Sequence, residues 1–283
     1  MDTIKKIAVS DIKRRKGRGK LAMLTCYDYS FARILDEAGI EVLLVGDSLA
    51  NVVLGLSETR KISIVEMLNH TAAVAKGVVR ALVVADMPYA SYQRNPGRSV
   101  FYAKKFIAAG AAAVKVEWFQ GPGSKSCVGV VRALIAAGIP VMGHIGLTPQ
   151  TAHLLGGYKV QGKDLKSARA ILSQALLLQR LGVFSIVLEC IPWQLSRLIT
   201  ARLTVPTIGI GAGSYCDGQV LVLYDFLGLY GSRPTFARVY APLARYIESA
   251  IKRFKRDIKE FHYPSSRESF AVKEGLYRRL KKY

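Results

Sequence analysis

Four times in this chain a helical stretch stops at glycine and an apolar, β-branched run begins almost at once: DEAGIEVLLVGDS (36–48), FIAAGAAAVKVE (106–117), LIAAGIPVMGHIG (134–146) and LQRLGVFSIVLEC (178–190). Glycine supplies the left-handed turn that ends a helix. A strand covered on both faces reads as a continuous apolar run, not as an alternation. Helix followed by buried strand, repeated, is the pattern of βα units around a parallel sheet. The helix starts agree: Ser63 with Glu66 forms a capping box, Asn95-Pro96 puts proline at the first helical position, and Asp164 caps a helix ending near Gly182.

Apolar runs near Leu24, Leu44, Val84, Val116, Val141, Val187, Ile208 and Leu223 give about eight strands, over roughly the 250 residues of a typical (β/α)8 barrel. The expected fold is therefore α/β, a closed (β/α)8 TIM barrel. An open doubly wound sheet is the rival, but it would bind its ligand behind one glycine-rich turn and not across many strand ends. No proline- or serine-rich linker divides the chain. The expectation is one barrel domain over residues 1–283, with a basic N-terminal segment and a basic C-terminal helix and tail.

Lys and Arg number 41 against 20 Asp and Glu, a formal charge of +21. Such a balance attracts nucleic acid, anionic membranes or acidic ligands. The aromatic residues lack the interleaved pattern of an RNA platform, and neither a zinc finger nor a heptad zipper accompanies the charge. A solvated basic surface is the expected reading, with nucleic acid not expected as a partner. Cys26, Cys127, Cys190 and Cys216 form no C-x-x-C pair, which suits reduced thiols in a cytoplasmic protein. No apolar run reaches the roughly 18 residues of a membrane span, and charges interrupt the first twenty residues where a signal peptide needs its apolar stretch. The cluster from Lys13 to Lys20, with Asp2 and Asp11 nearby, reads as a basic helix that begins the fold.

What ends each strand carries the chemistry. LTCYD ends in Asp28, VLLVGDS in Asp47 and Ser48, LVVAD in Asp86, VKVE in Glu117, VMGH in His144 and IVLE in Glu189. In a barrel these positions converge on one mouth, and carboxylates placed directly after buried strands are costly unless paired or coordinated. Any one of them could be a helix N-cap, and Asp28 reads as such. Asp47, Asp86 and Glu117 come from three consecutive strands, a convergence that caps do not require. An all-oxygen donor set suits Mg²⁺, with Mn²⁺ or Co²⁺ as alternatives. Lys115 precedes Glu117 by two residues and shares its strand face, where an ammonium would balance Glu117 or bind an anionic substrate. His144 is a structural histidine, a metal ligand or a donor to an oxyanion, and Glu189 lies in an apolar setting that suits a general base or a buried cap. GIGAGSYCDGQ after the seventh strand reads either as a phosphate-gripping loop or as a sharp turn at the barrel rim.

Taken in order, TCYDYSFA, VGDSLA, NHTAAVAKG, VVADMPY, VKVE, GHIGLTPQ, GGYKVQGK, VLECIP and IGIGAG with DGQVLVLYD closely resemble the ketopantoate hydroxymethyltransferase family, from about Leu21 to Gly231. The resemblance implies a barrel of the phosphoenolpyruvate/pyruvate type assembled as a homo-oligomer, a decamer in the family. It implies transfer of a hydroxymethyl group from 5,10-methylenetetrahydrofolate to 3-methyl-2-oxobutanoate, giving 2-dehydropantoate through a metal-stabilised enolate, the first step towards pantothenate and coenzyme A. Carried over by position, Asp47, Asp86 and Glu117 hold the metal, Asp47, Ser48, Asp86 and Lys115 line the 2-oxo acid site, Glu189 accepts the proton, and His144 supports charge on an oxygen. Departures from the family pattern fall at Ala50, at Arg60-Lys61-Ile62 and in WFQGPG after Glu117, none of them at an assigned residue. Two rivals remain: a metal-dependent carbon–carbon lyase on the same type of barrel, and a basic nucleic-acid-binding protein on a retained barrel scaffold.

Overall fold

The computed structural model describes residues 5–93, 95–119, 124–231 and 233–283, with backbone only at 124–126. Eight parallel strands close into a barrel in chain order: β1 (Leu21–Thr25), β2 (Val42–Val45), β3 (Leu82–Asp86), β4 (Ala113–Glu117), β5 (Val141–Gly146), β6 (Ser185–Glu189), β7 (Thr207–Ile210) and β8 (Gly218–Leu221). Pairing of Leu21 with Gly218 brings β8 against β1 and shuts the ring. The helices are α1 (Val9–Arg14), α2 (Tyr29–Glu37), α3 (Leu49–Val52), α4 (Ile64–Gly77), α5 (Tyr89–Tyr92), α6 (Pro96–Ala108), α7 (Ser124–Ala136), α8 (Leu165–Leu181), α9 (Trp193–Arg202), α10 (Leu223–Phe226), α11 (Leu243–Lys259) and α12 (Glu274–Leu280).

Local chemistry accounts for the element ends. Asp28 caps α2 by accepting from Phe31 N, Ser63 and Glu66 form a reciprocal capping box on α4, Asn95 caps α6 with Pro96 at its first position, and Asp164 caps α8. The glycines of the repeated phrase, Gly39, Gly110, Gly138 and Gly182, all lie at positive φ where the chain leaves a helix for the next strand. The basic cluster is only partly helical. α1 stops at Arg14, and the ammonium groups of Lys16 and Lys20 reach instead to Asp217 and to the Ser214 carbonyl.

Successive side chains point to opposite faces of a strand, so every second residue enters the barrel. The lower interior is apolar: Met23, Val42, Leu44, Leu82, Val84, Ala113, Met142, Val187, Ile208 and Val220 pack in one cluster, joined by Ile12 of α1. Continuing upward in steps of two, Val84 is followed by Asp86, Ala113 by Lys115 and Glu117, Met142 by His144, and Val187 by Glu189. The interior therefore turns from apolar to charged at the C-terminal ends of the strands.

The eighth strand departs from the sequence reading. Leu223 does not centre a strand; it opens α10, and β8 is Gly218–Leu221. The cause is the β7–β8 connection, which runs through 211–217 without a helix and so brings the strand forward. This segment lies tight against its surroundings. A Cβ at Gly213 would stand 2.5 Å from Trp193 Cβ, and one at Gly218 would stand 2.8 Å from the Leu21 carbonyl oxygen. Close packing thus accounts for glycines in GIGAGSYCDGQ.

The chain divides into two compact units, the residues up to Leu223 with Pro234–Ala237, and Tyr224–Arg233 with Arg238–Tyr283. The second unit carries α11 and α12. Ile247, Ile251, Phe254 and Ile258 recur along one side of α11, yet no residue of that helix is buried. Phe226 and Tyr240 stack with ring centroids 4.7 Å apart in the same unit. No helix among the described residues is long and apolar enough to cross a membrane.

Candidate active site

Strand register assembles the mouth. Asp86 pairs with Lys115 across β3 and β4, and Glu117 pairs with His144 across β4 and β5. The Lys115 ammonium donates to Asp86 Oδ2 at 2.6 Å, and the same oxygen accepts from the Asp47 backbone N–H at 3.2 Å. Glu117 Oε2 accepts from Gln150 N at 3.1 Å, while Glu117 Oε1 lies 3.2 Å from His144 Nδ1 and 3.8 Å from Lys115 Nζ. On its other side His144 presents Nε2 to Glu189 Oε2 at 3.1 Å. The imidazole therefore sits between two carboxylates, close to both but off the line of a good hydrogen bond.

Asp86, Glu117 and His144 are each 1% exposed and Lys115 4%. Burial pushes the Asp86 carboxyl up, against the pull of Lys115, and the neighbouring Asp47 and Glu117 push it further. Glu117 is raised by burial and by Asp47, with His144 and Lys115 opposing. For Lys115, burial works towards the neutral amine, but Asp86, Glu117 and Asp47 outweigh it and the ammonium is held above its ordinary range. Burial and Lys115 likewise disfavour charge on His144, yet Glu117 and Glu189 prevail and raise it to about 9. The two flanking carboxylates thus favour the charged form of the ring.

Some carboxylate oxygens lack a hydrogen bond in this dry setting. Asp47 Oδ2, Asp86 Oδ1 and Glu117 Oε1 are buried without a hydrogen-bond partner among the described residues, a costly condition that a cation relieves. The donors are all oxygen, which fits a hard divalent ion. Among the described residues no three His, Cys, Asp or Glu side chains draw together into a ready cage. An ion here would take one or two carboxylates directly and complete its shell with water and substrate, as Mg²⁺ does.

Glu189 stands on a fixed mount. The next residue, Cys190, has φ 48°, a left-handed conformation that non-glycine residues seldom adopt. Two bonds hold it: Cys190 N donates to the Ile210 carbonyl at 2.9 Å, and Gln161 N donates to the Cys190 carbonyl at 2.8 Å. Opposite, Gly146 has φ 96°, and a Cβ there would stand 2.2 Å from the Glu189 carbonyl oxygen. Only glycine lets β5 approach the end of β6 so closely. The Glu189 side chain itself is 15% exposed.

Ser48 lies just beyond β2 and its Oγ is 2.8 Å from the Tyr27 hydroxyl. Asp28 uses its carboxylate to cap α2, accepting from Phe31 N at 2.9 Å. Sequence reasoning did not single out Tyr92 or Gln150. Tyr92 donates to Gln150 Oε1 at 2.6 Å, Gln150 Nε2 donates to the Met87 carbonyl at 3.1 Å, and the Gln150 backbone holds Glu117. Gln150 closes the motif GHIGLTPQ, but nothing local marks Tyr92, whose partner lies 58 residues on in the 3-10 helix Pro149–Leu155. At the rim, Arg60 Nη1 comes within 3.4 Å of His153 Nε2. In the segment WFQGPG, residues 120–123 lie outside the described residues.

A closed parallel barrel with charged strand ends defines the class: it shares the fold of the phosphoenolpyruvate mutase/isocitrate lyase barrels. Phosphoenolpyruvate phosphomutase from Streptomyces platensis subsp. rosaceus superposes with a TM-score of 0.61 at 14% identity, covering 98% of this chain and 96% of that one. 2,3-Dimethylmalate lyase, described as a member of that superfamily, gives 0.60 at 15% identity, covering 88% of each. Likeness at such identity shows the fold. The chain belongs to the ketopantoate hydroxymethyltransferase family, whose profile matches residues 6–266. Relatives named 3-methyl-2-oxobutanoate hydroxymethyltransferase are 45% identical in Hyperthermus butylicus, over 98% of this chain and 95% of the relative, and 47% identical in Carboxydothermus hydrogenoformans, over 97% and 99%. It is accordingly an enzyme, a hydroxymethyltransferase.

Proposed function

We propose that the enzyme takes the one-carbon unit of 5,10-methylenetetrahydrofolate and joins it to C3 of 3-methyl-2-oxobutanoate, with uptake of one water, to give 2-dehydropantoate and so open pantothenate biosynthesis. The observation that carries this reading is the buried Lys115–Asp86 pair beside the Glu117–His144–Glu189 row, in a chain so similar to enzymes bearing that name. Asp47, Asp86 and Glu117 would hold a divalent cation, Mg²⁺ or alternatively Mn²⁺ or Co²⁺, which supplies Lewis acidity to the keto oxygen. A barrel of the same fold, phosphonopyruvate hydrolase, is described in complex with oxalate and Mg++, which supports such a site here.

The chain's own residues divide the remaining work. Lys115, kept charged by Asp86, attracts the anionic substrate and the negative charge that develops on its oxygen. Ser48 contributes a hydroxyl to the same anion. Glu189 accepts the C3 proton, and the C–H electron pair moves into the C2–C3 bond and on to the keto oxygen. His144, between Glu117 and Glu189, holds the base in place, and the two carboxylates favour positive charge on its ring. Water adds to the methylene carbon and both of its bonds to folate nitrogens break, giving formaldehyde and tetrahydrofolate. The carbanion attacks the formaldehyde carbon, and the alkoxide so formed takes up a proton, equivalent to the one Glu189 removed, to become the new hydroxyl.

The test is turnover. Purified enzyme should consume 3-methyl-2-oxobutanoate only with both methylenetetrahydrofolate and divalent metal present. Cleavage of a larger 2-oxo acid without folate would instead identify a carbon–carbon lyase.

A further inference from the structure

We infer that Tyr27 and Thr25 are positioning residues that turn the hydroxyl hydrogen of Ser48 into the mouth, making Ser48 a donor to the carboxylate of the 2-oxo acid. The inference rests on the reaction proposed above. Its starting point is a row of hydroxyl groups at the ends of β1 and β2. Leu223 N donates to Thr25 Oγ1 at 2.9 Å, Thr25 Oγ1 is 2.7 Å from Tyr27 Oη, and Tyr27 Oη is 2.8 Å from Ser48 Oγ.

The row has a direction, because a backbone amide can only donate. The Leu223 N–H takes one lone pair of Thr25 Oγ1. Thr25 is 3% exposed, and the acceptor within reach of its own hydrogen is Tyr27 Oη. Tyr27 is 1% exposed; with Thr25 donating to it, its own hydrogen has Ser48 Oγ within reach at 2.8 Å, the direction the inference assigns to this contact. His70 Nδ1, 2.5 Å from the Tyr27 carbonyl, anchors the tyrosine backbone at the same time. Ser48 is half-buried at the start of α3, and its side chain makes no bond to the first turn of that helix. Its hydrogen is therefore left over, beside Asp47. Each donor in such a row polarises the next, so the terminal hydroxyl is a stronger donor than an isolated serine. A carboxylate matches it; a group that can only donate does not.

The experiment compares KM for 3-methyl-2-oxobutanoate, kcat and direct binding of the 2-oxo acid in wild-type enzyme, Tyr27→Phe, Ser48→Ala and the double variant. Tyr27→Phe should raise KM and the dissociation constant roughly tenfold, the size of one hydrogen bond to a charged group, with kcat within about twofold. The double variant should be no weaker than Ser48→Ala alone, the signature of a hydroxyl that reaches the substrate through the serine. Multiplying effects, or an unchanged KM in Tyr27→Phe, would overturn the inference. Where Tyr27→Phe fails to melt cooperatively, Thr25→Val should weaken binding and Thr25→Ser restore it; equal binding in both also overturns it. Wild-type enzyme that lacks folate-dependent turnover would instead remove the proposed reaction, a result read before any variant is made.

Discussion

Lys115 reaches the mouth on a strand whose outward neighbours, Val114 and Val116, are buried in the barrel wall, so its charge has no route to solvent and must be met inside. Asp86 meets it at 2.6 Å. Removing one member of a buried pair leaves the other uncompensated. Asp86→Asn should therefore lower the affinity for divalent metal at least tenfold, read by calorimetric titration; unchanged affinity would exclude Asp86 as a ligand. Glu189 is bound less tightly, with one oxygen near His144 and a side chain open to the mouth. A base must be reachable and correctly protonated, and an amide cannot accept the proton. Glu189→Gln should retain metal and 2-oxo acid binding while exchange of the C3 proton with deuterated water falls by about 100-fold or more. Exchange at the wild-type rate, followed by proton NMR, would assign the base elsewhere.

At the scale of elements, Asp217 ties the segment after α1 to the start of β7. Its carboxylate accepts from Thr207 N at 2.9 Å, Thr207 Oγ1 at 3.1 Å, Gly17 N at 3.1 Å and Lys16 Nζ at 2.9 Å. Burial raises its pKa, but the bonds from Thr207, Lys16 and Gly17 outweigh burial and leave it below the ordinary 3.8. A depressed folded pKa contributes stability above the unfolded value and loses it as pH falls through the folded one. Asp217→Asn should cost about 2 kcal/mol near pH 7 by urea denaturation, the size of hydrogen bonds to a charged group. The gap from wild type should narrow as pH falls below the ordinary 3.8 and through the depressed folded pKa; a gap that persists in acid would show that shape and not charge holds the junction.

For the whole molecule the excess of +21 invites a nucleic-acid reading. Much of it decorates surface: Lys252, Arg253, Lys255, Arg256 and Lys259 all lie exposed on α11. Surface charge binds a polyanion through counterion release, which weakens steeply with salt. Fluorescence anisotropy should show a labelled DNA duplex bound at low salt and released near 150 mM. Retention at that salt, together with absent turnover, would favour the binding-protein rival.

The order of helices and strands, the caps at Asp28, Ser63, Asn95 and Asp164, and the polar residue at each strand end were legible in the sequence, because each depends on neighbours a few residues away and on the two-residue period of a strand. The helix-free β7–β8 passage was not. LVLY reads as a strand by composition, and only packing of Gly213 against Trp193 and of Gly218 against Leu21 shows that the chain has already turned. In the mouth the sequence could name Asp86, Lys115, Glu117, His144 and Glu189 without saying who meets whom. Lys115 takes Asp86 at 2.6 Å and stays 3.8 Å from Glu117 on its own strand, while Glu117 turns to His144. Tyr92 with Gln150, and Thr25 with Leu223, bring together residues far apart in the chain. Such pairings follow from the register in which separate strands close the barrel, and register is a property of the packed whole.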